Sequence, residues 1–210
     1  MSKSQVLKNA VIEGDAETVK KETSVALKAG TPAKTVLADL IAGMNVVAQK
    51  FDDAEFYLPQ VMVAADAMIT GINILEPELR KSGTTAKVGT AVVGTVEGDI
   101  HDIGKTLVAI MLRGAGFEVY DLGRDVPIER YWEVAKEKDA NIIGVSALMS
   151  TTTLLQRRVV DEGKEEGLYP KVKVLVGGAC TTPEWAAKIG AHYAENASEA
   201  MKAARKMMGE

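Results

Sequence analysis

The hydrophobic period of this chain changes once, near residue 85, and that change constrains the fold more than any other feature. From the start to about Lys81, apolar residues recur every three or four positions. Val36, Leu40, Met44, Val47 and Phe51 make one stripe, and Val61, Met62, Ala65, Met68, Ile69, Ile72 and Leu75 make another. Ser2 with Gln5 reads as a capping box, and Gly14 followed by Asp15 as a helix stop and a new N-cap. Gly30, Thr31 and Pro32 predict a helix end, an N-cap at Thr31 and a proline in the first helical position. Four helices with short connections, each apolar on one face, predict an antiparallel bundle over residues 1–82. Arg80 to Ala86 is polar and small, and reads as a linker.

From residue 87 to 210 the pattern alternates. Val- and Ile-rich runs at Val88–Val96, Glu118–Leu122, Ile142–Leu148, Val172–Val176 and around Tyr193 read as strands. Amphipathic segments at Gly104–Arg113, Pro127–Lys138, Thr151–Glu166, Pro183–Ile189 and Ala197–Met208 read as helices between and after them. The fold class is therefore α/β: a helical bundle followed by a doubly wound, flavodoxin-like sheet of five parallel strands. Ligands of such sheets bind beyond the carboxyl ends of the strands.

Composition narrows the function. Twenty-five Lys and Arg against 29 Asp and Glu leave a net charge of -4, which argues against a broad nucleic-acid-binding face. One cysteine, Cys180, and two histidines, His101 and His192, exclude an internal disulfide and a multi-histidine metal cluster. The polar start and the lack of a long, purely apolar run predict a soluble, cytoplasmic protein.

The first strand is followed by Thr95-Val-Glu-Gly-Asp-Ile-His-Asp-Ile-Gly-Lys-Thr106. Gly104-Lys105-Thr106 imitates the end of a phosphate-binding loop, but the earlier glycine such a loop requires is replaced by Asp99. Glu97, Asp99 and Asp102 would also repel a phosphate. The segment does offer Asp99-x-His101-x-x-Gly104. An aspartate two residues before a histidine can hold one ring nitrogen and aim the other outward, as a metal ligand or base; otherwise His101 is a loop histidine satisfied by its neighbour. Gly104 is expected to allow close packing where the helix begins. After the third strand come five hydroxyls in the eight residues Ser146–Thr153, more than helix capping needs. After the fourth come Gly177 and Gly178, for a tight turn or for close approach of a ligand. Glu195-Asn-Ala-Ser198 opens the last helix.

These motifs, in this order, resemble the cobalamin-binding corrinoid proteins of methyl transfer: Asp99-x-His101-x-x-Gly104, Ser146-x-Leu148 and Gly177-Gly178. The flanking text (GDIHDIGK, SALMS, VGGA, ENAS) is similar to the cobalamin module of methionine synthase and to small methanol, methylamine and O-demethylase corrinoid proteins. Tyr57-Leu58-Pro59-Gln60 resembles the start of the family's cap helix. The resemblance implies cobalamin as cofactor, cycling between methylcobalamin and cob(I)alamin, base-off and His-on. His101 would be the axial cobalt ligand, Asp99 would hydrogen-bond its other nitrogen, and Thr152 would stand behind Asp99. Gly98, Asp99, Ile100, His101, Asp102, Gly104, Ser146, Leu148, Ser150, Gly177, Gly178 and Ala197 would line the cofactor's site. Tyr57 and Leu58 would belong to the cap over its reactive face, with Phe51, Phe56 and the methionines Met44, Met62 and Met68 as further candidates. At His192 relatives commonly carry Asp, and here a surface or strand-end histidine is expected.

The implied role is a methyl carrier rather than a catalyst on its own. Its partners would be a substrate:corrinoid methyltransferase, a corrinoid:tetrahydrofolate or corrinoid:thiol methyltransferase, and a reductive activator. The alternatives are a cobalamin-dependent regulator, the small subunit of an adenosylcobalamin enzyme, and a cofactor-free interaction module. The methyl donor is not written in the motifs.

Overall fold

The computed structural model describes residues 3–81 and 87–209. The chain divides into two compact units, one formed by the residues before Gly89 with Arg113–Gly116, the other by Gly89–Leu112 and the residues from Phe117 onward.

The first unit contains α1 (Lys3–Glu13), α2 (Ala16–Lys28), α3 (Ala33–Asp52) and α4 (Leu58–Lys81). Helix α1 packs on α3, while α4 packs on α2 and α3. Leu7, Val11, Val19, Val36, Leu40, Met44, Val47, Val61, Met68 and Leu75 are buried between them. Each of the larger ones contributes about 1.5–3 kcal/mol by leaving water. Leu58–Leu79 has the length and apolar composition of a membrane span, yet Val61, Ala64, Ala65, Ala67, Met68, Leu75 and Leu79 are buried in the bundle. Asp15 caps α2, accepting the Thr18 N–H at 3.0 Å.

Three expectations are corrected here. Thr31 is not the N-cap of α3: Pro32 holds that position, with φ -57° and ψ 132°. The Thr31 N–H instead closes the end of α2 on the Ala26 carbonyl, and the Pro32 carbonyl accepts the first bonds of α3 from Thr35 and Val36. Met62 lies off the core stripe, 46% exposed, because the buried face of α4 runs through Val61, Ala65 and Met68. The linker does not begin at Arg80, since α4 continues to Lys81, its last turn anchored by buried Leu79. The rest of the expected linker, residues 82–86, and Ser2 of the capping box lie outside the described residues.

The second unit alternates β1 (Gly89–Thr95), α5 (Ile103–Gly114), β2 (Phe117–Asp121), α6 (Ile128–Glu137), β3 (Ile142–Ser146), α7 (Ser150–Glu165), β4 (Lys173–Gly177), α8 (Pro183–Ile189), β5 (His192–Tyr193) and α9 (Ala197–Met207). All strand pairs are parallel, in the order β2-β1-β3-β4-β5. The order reverses between β1 and β3, the switch point at which such sheets bind ligands. The register sets Thr95 opposite Ser146 and Ser146 opposite Gly177. Three loops far apart in sequence therefore leave the sheet side by side.

One face of the sheet is closed by α6, α7 and α8. Val92, Ile143, Val145, Val174 and Val176 pack there against Tyr131, Trp132, Val159 and Val160. The Trp132 indole N–H donates to the Val159 carbonyl at 2.7 Å, satisfying the one polar atom its burial brings inside.

Candidate functional site

Asp99 is fully buried in the middle of the loop after β1. Its Oδ1 accepts the His101 backbone N–H at 3.0 Å and lies 2.8 Å from His101 Nδ1. Its Oδ2 accepts the Leu148 N–H at 2.8 Å and the Thr152 hydroxyl at 2.8 Å. Burial alone would raise the carboxyl pKa, but the bonds from His101, Leu148 and Thr152 outweigh it and hold Asp99 well below the usual carboxylate range. A carboxylate fixed in this way favours the tautomer whose Nδ1–H donates to it, leaving Nε2 as the nitrogen with a free lone pair. The His101 side chain is 49% exposed, so that nitrogen is presented rather than enclosed.

The local sequence explains the presentation. Asp99 N–H closes a turn on the Val96 carbonyl, and the Thr95 hydroxyl, fully buried, donates to the His101 carbonyl at 3.2 Å. The Asp102 carbonyl accepts from Thr106 in the first turn of α5. Ile100 and Ile103, on either side of His101 and Asp102, are 65% and 80% exposed. Leu148 is also exposed, two residues beyond Ser146, and Ser150 is exposed at the start of α7.

Thr152 and Thr153 account for two of the five hydroxyls after β3. Thr152 serves Asp99, while Thr153 donates to the Met149 carbonyl at 2.9 Å. No side chain caps α7. Capping therefore explains none of this cluster, and one member belongs to the histidine's support.

The expectation for Gly104 is corrected. Among the described residues, and apart from its chain neighbours and the backbone of its own helix, no atom lies within 4 Å of where its Cβ would stand, so close packing does not explain it. Gly177 and Gly178 are the opposite case. A Cβ on Gly178, at φ +124°, would stand 1.9 Å from the Ala147 carbonyl oxygen, and one on Gly177 would stand 2.8 Å from the Ala194 carbonyl oxygen. The loop's own backbone requires both.

Ala197 is buried as the first residue of α9, which Asn196 caps through the Glu199 N–H. Beside it, Ser198 Oγ is buried with no hydrogen-bond partner among the described residues. His192 is an exposed residue of β5, and burial of its ring and then Lys173 lower its pKa. Tyr57, 64% exposed, and half-buried Leu58 open α4 in the first unit, where Tyr57 N–H meets Gln60 Oε1 at 3.1 Å.

Sequence reasoning missed three supports. Lys105, 5% exposed, grips Asp121 with Nζ 2.6 and 2.7 Å from its two carboxylate oxygens, which explains a lysine that imitates a phosphate loop. Fully buried Gln156 ties the Gly177 carbonyl to Thr181 and Trp185. Asp125 bonds Gly98. None of these pairs is local, so no spacing signalled them.

A half-exposed histidine held by a buried carboxylate stands at the switch point of a doubly wound sheet, the place where such folds bind cofactors. The B12 binding domain family matches residues 89–204, and a second B12 binding domain family matches residues 4–76. The chain is 50% identical over 205 residues to dimethylamine corrinoid protein 1 of Methanosarcina mazei, covering 97% of this chain and 95% of that one. It is 44% identical to trimethylamine corrinoid protein 1 of Methanosarcina acetivorans, with 96% and 94% covered. Among solved structures it resembles a chain of the methanol:cobalamin methyltransferase complex of Methanosarcina barkeri, at 32% identity and a TM-score of 0.79, covering 99% of this chain and 80% of that one. The chain belongs to the family of methyltransferase-associated corrinoid proteins, cobalamin-bearing carriers of methyl groups.

The residues fit such a cofactor on independent grounds. There is open space at Gly104, an orphaned buried hydroxyl at Ser198, and solvent-exposed Ile100 and Ile103 around a presented imidazole.

Proposed function

We propose that His101 is the lower axial ligand of the cobalt, in the base-off, His-on state, and that the chain serves a methylamine-using system with dimethylamine as the donor. The observation that carries the ligand assignment is the 2.8 Å approach of His101 Nδ1 to a carboxylate whose other oxygen is held by Leu148 and Thr152. When bound, cobalamin supplies a metal centre that accepts and gives up a methyl group.

Asp99 selects the tautomer that turns the Nε2 lone pair outward and makes it a better donor. Thr152 and the Leu148 N–H keep the carboxylate ionised and stationary. Because the imidazole is a ligand only when Nε2 is unprotonated, the Asp99–His101 pair stores a proton whenever the ring is released. Ile100, Ile103 and Leu148 supply apolar contact around the ligand. Gly98, Asp102, Gly104, Ser146, Ser150, Gly177, Gly178 and Ala197 line the remainder, with Ser198 adding a hydrogen-bonding group.

A dimethylamine:corrinoid methyltransferase loads the carrier, and a corrinoid:thiol or corrinoid:tetrahydrofolate methyltransferase unloads it. A reductive activator restores the nucleophilic state, and the system works in the cytoplasm. The donor assignment is supported by the name of the relative at 50% identity.

Electron paramagnetic resonance of the cob(II)alamin-loaded protein tests the ligand. Labelling the protein with ¹⁵N-histidine should turn a nitrogen triplet into a doublet, and a triplet that survives labelling rejects His101. Incubating the cob(I)alamin form with methyltransferases for mono-, di- and trimethylamine tests the donor. The fastest loss of cob(I)alamin should occur with the dimethylamine enzyme.

A further inference from the structure

The loop between β2 and α6 braces the histidine loop from a second element. Leu122 N–H donates to the Val93 carbonyl at 2.8 Å, Thr95 N–H to the Gly123 carbonyl at 3.0 Å, and Val126 N–H to the Thr95 carbonyl at 3.0 Å. In the middle stands Asp125. Its Oδ1 accepts the Gly98 N–H at 2.7 Å, and its own N–H donates to the Asp99 carbonyl at 3.1 Å. These two bonds grip the chain on both sides of the Gly98–Asp99 junction. Gly98 has φ +76° and Asp125 φ +54°, so the grip joins two residues in the left-handed region, one of them without the freedom of glycine.

We infer that Asp125 is a positioning residue for the cobalt ligand, an inference that rests on His101 being that ligand. Asp99 is secured twice, by its side chain and by its backbone. Leu148 and Thr152 fix the carboxylate, but they do not fix the peptide that carries it. That peptide follows a glycine able to rotate through many conformations. The Asp125 carboxylate restricts that freedom from the amino side of the glycine, through a charge-assisted bond to the Gly98 N–H that adds to the Asp99 N–H bond on Val96. His101 takes its direction from Asp99 through both its backbone N–H and its Nδ1. The Gly98–Asp99 peptide is itself tied to the Val96 carbonyl through the Asp99 N–H at 3.1 Å, and Asp125 fixes the peptides on either side of it. Loosening those spreads the imidazole directions, and ligation, which tolerates little misalignment, weakens.

Two variants separate the carboxylate from the backbone conformation. D125G deletes the acceptor while placing at φ +54° the residue that adopts it most easily, so the fold is kept. D125N keeps an oxygen acceptor and also tolerates the left-handed region. Each is loaded as cob(II)alamin, and the His-on fraction is read across pH from the histidine nitrogen splitting, at a temperature well below melting. Amide exchange at Gly98 is followed in the apoprotein.

The expected result is an apparent ligation constant about fivefold lower in D125G, on the scale of one lost hydrogen bond to a charged group at an exposed site. Gly98 exchange should be faster in D125G, and the melting temperature unchanged. D125N should stay within about twofold of the parent in both readouts. An unchanged His-on fraction in D125G overturns the inference, as does D125N falling as far as D125G. Absence of histidine splitting in the parent protein removes the ligand assignment and this inference together. A parent signal with D125G unmoved removes the inference alone.

Discussion

Gly104 and Gly178 both follow strands of one sheet, and both belong to motifs that mark a cofactor site, yet they face opposite surroundings. Around Gly104 there is room for a side chain, with no neighbour among the described residues beyond its own helix; at Gly178 a Cβ would be driven into the Ala147 carbonyl at 1.9 Å. The same contrast separates their loops. The β1–α5 loop exposes Ile100 and half of the His101 ring, and the first residue of α5, Ile103, is exposed beside them. The β4–α8 loop is tied inward by Gln156, Thr181 and Trp185. One loop leaves its groups open to solvent, and the other is bound into the scaffold beside it. A glycine in a motif can thus record either what the protein must leave open or what its own backbone needs.

The contrast can be broken most decisively at Gly178. Gly178→Ala should destabilise the apoprotein by about 3 kcal/mol or more, because φ +124° and the carbonyl clash act together. Chemical denaturation measures it, and a loss under about 1 kcal/mol would refute the scaffold role. His101→Ala should abolish the protein-derived nitrogen splitting of bound cob(II)alamin. Apoprotein stability should move by less than about 0.5 kcal/mol, since the ring is half in solvent. Thr152→Ala leaves one oxygen of a buried carboxylate with fewer donors, costing about 1–2 kcal/mol in the apoprotein and lowering the His-on fraction. Gly104→Ala sharpens the comparison from the other side. The apoprotein should keep or slightly raise its stability, by up to about 0.5 kcal/mol, as alanine suits a helical position better. Cobalamin affinity should fall about tenfold if the open space belongs to the cofactor, as read by equilibrium titration. Last comes acid. Asp99 is depressed in the folded state, so its stabilising contribution is complete above the unfolded value, about 3.9, and disappears only as pH falls below it. Urea midpoints should show no Asp99-dependent loss from pH 7 to about 5. The decline below pH 4 should be shallower in Asp99→Asn.

Much of this was legible because the relevant signals are local. The helical stripe of α3, the Asp15 cap, the Val- and Ile-rich strands β1, β3 and β4 and the two-residue step from Asp99 to His101 all lie within one element or one loop. Their physics is set by neighbours three or four positions away, or by backbone propensity. Met62 was misplaced because a stripe on a 24-residue helix admits two nearly equivalent faces, and only packing against other helices chooses between them.

By itself, then, the sequence determined a helical unit followed by an alternating α/β unit, and the order in which the motifs leave the strands. The chain written in one dimension could not say that Lys105 belongs to Asp121, that Gln156 braces Gly177, or that Asp125 grips the residue before Asp99. Those contacts join residues 16 to 27 positions apart, most of them in different helices and strands. They exist only because parallel strands brought side by side set their carboxyl ends in one row. Tertiary structure also decided which glycines face open space and which face backbone, a matter of through-space distances that no spacing along the chain encodes.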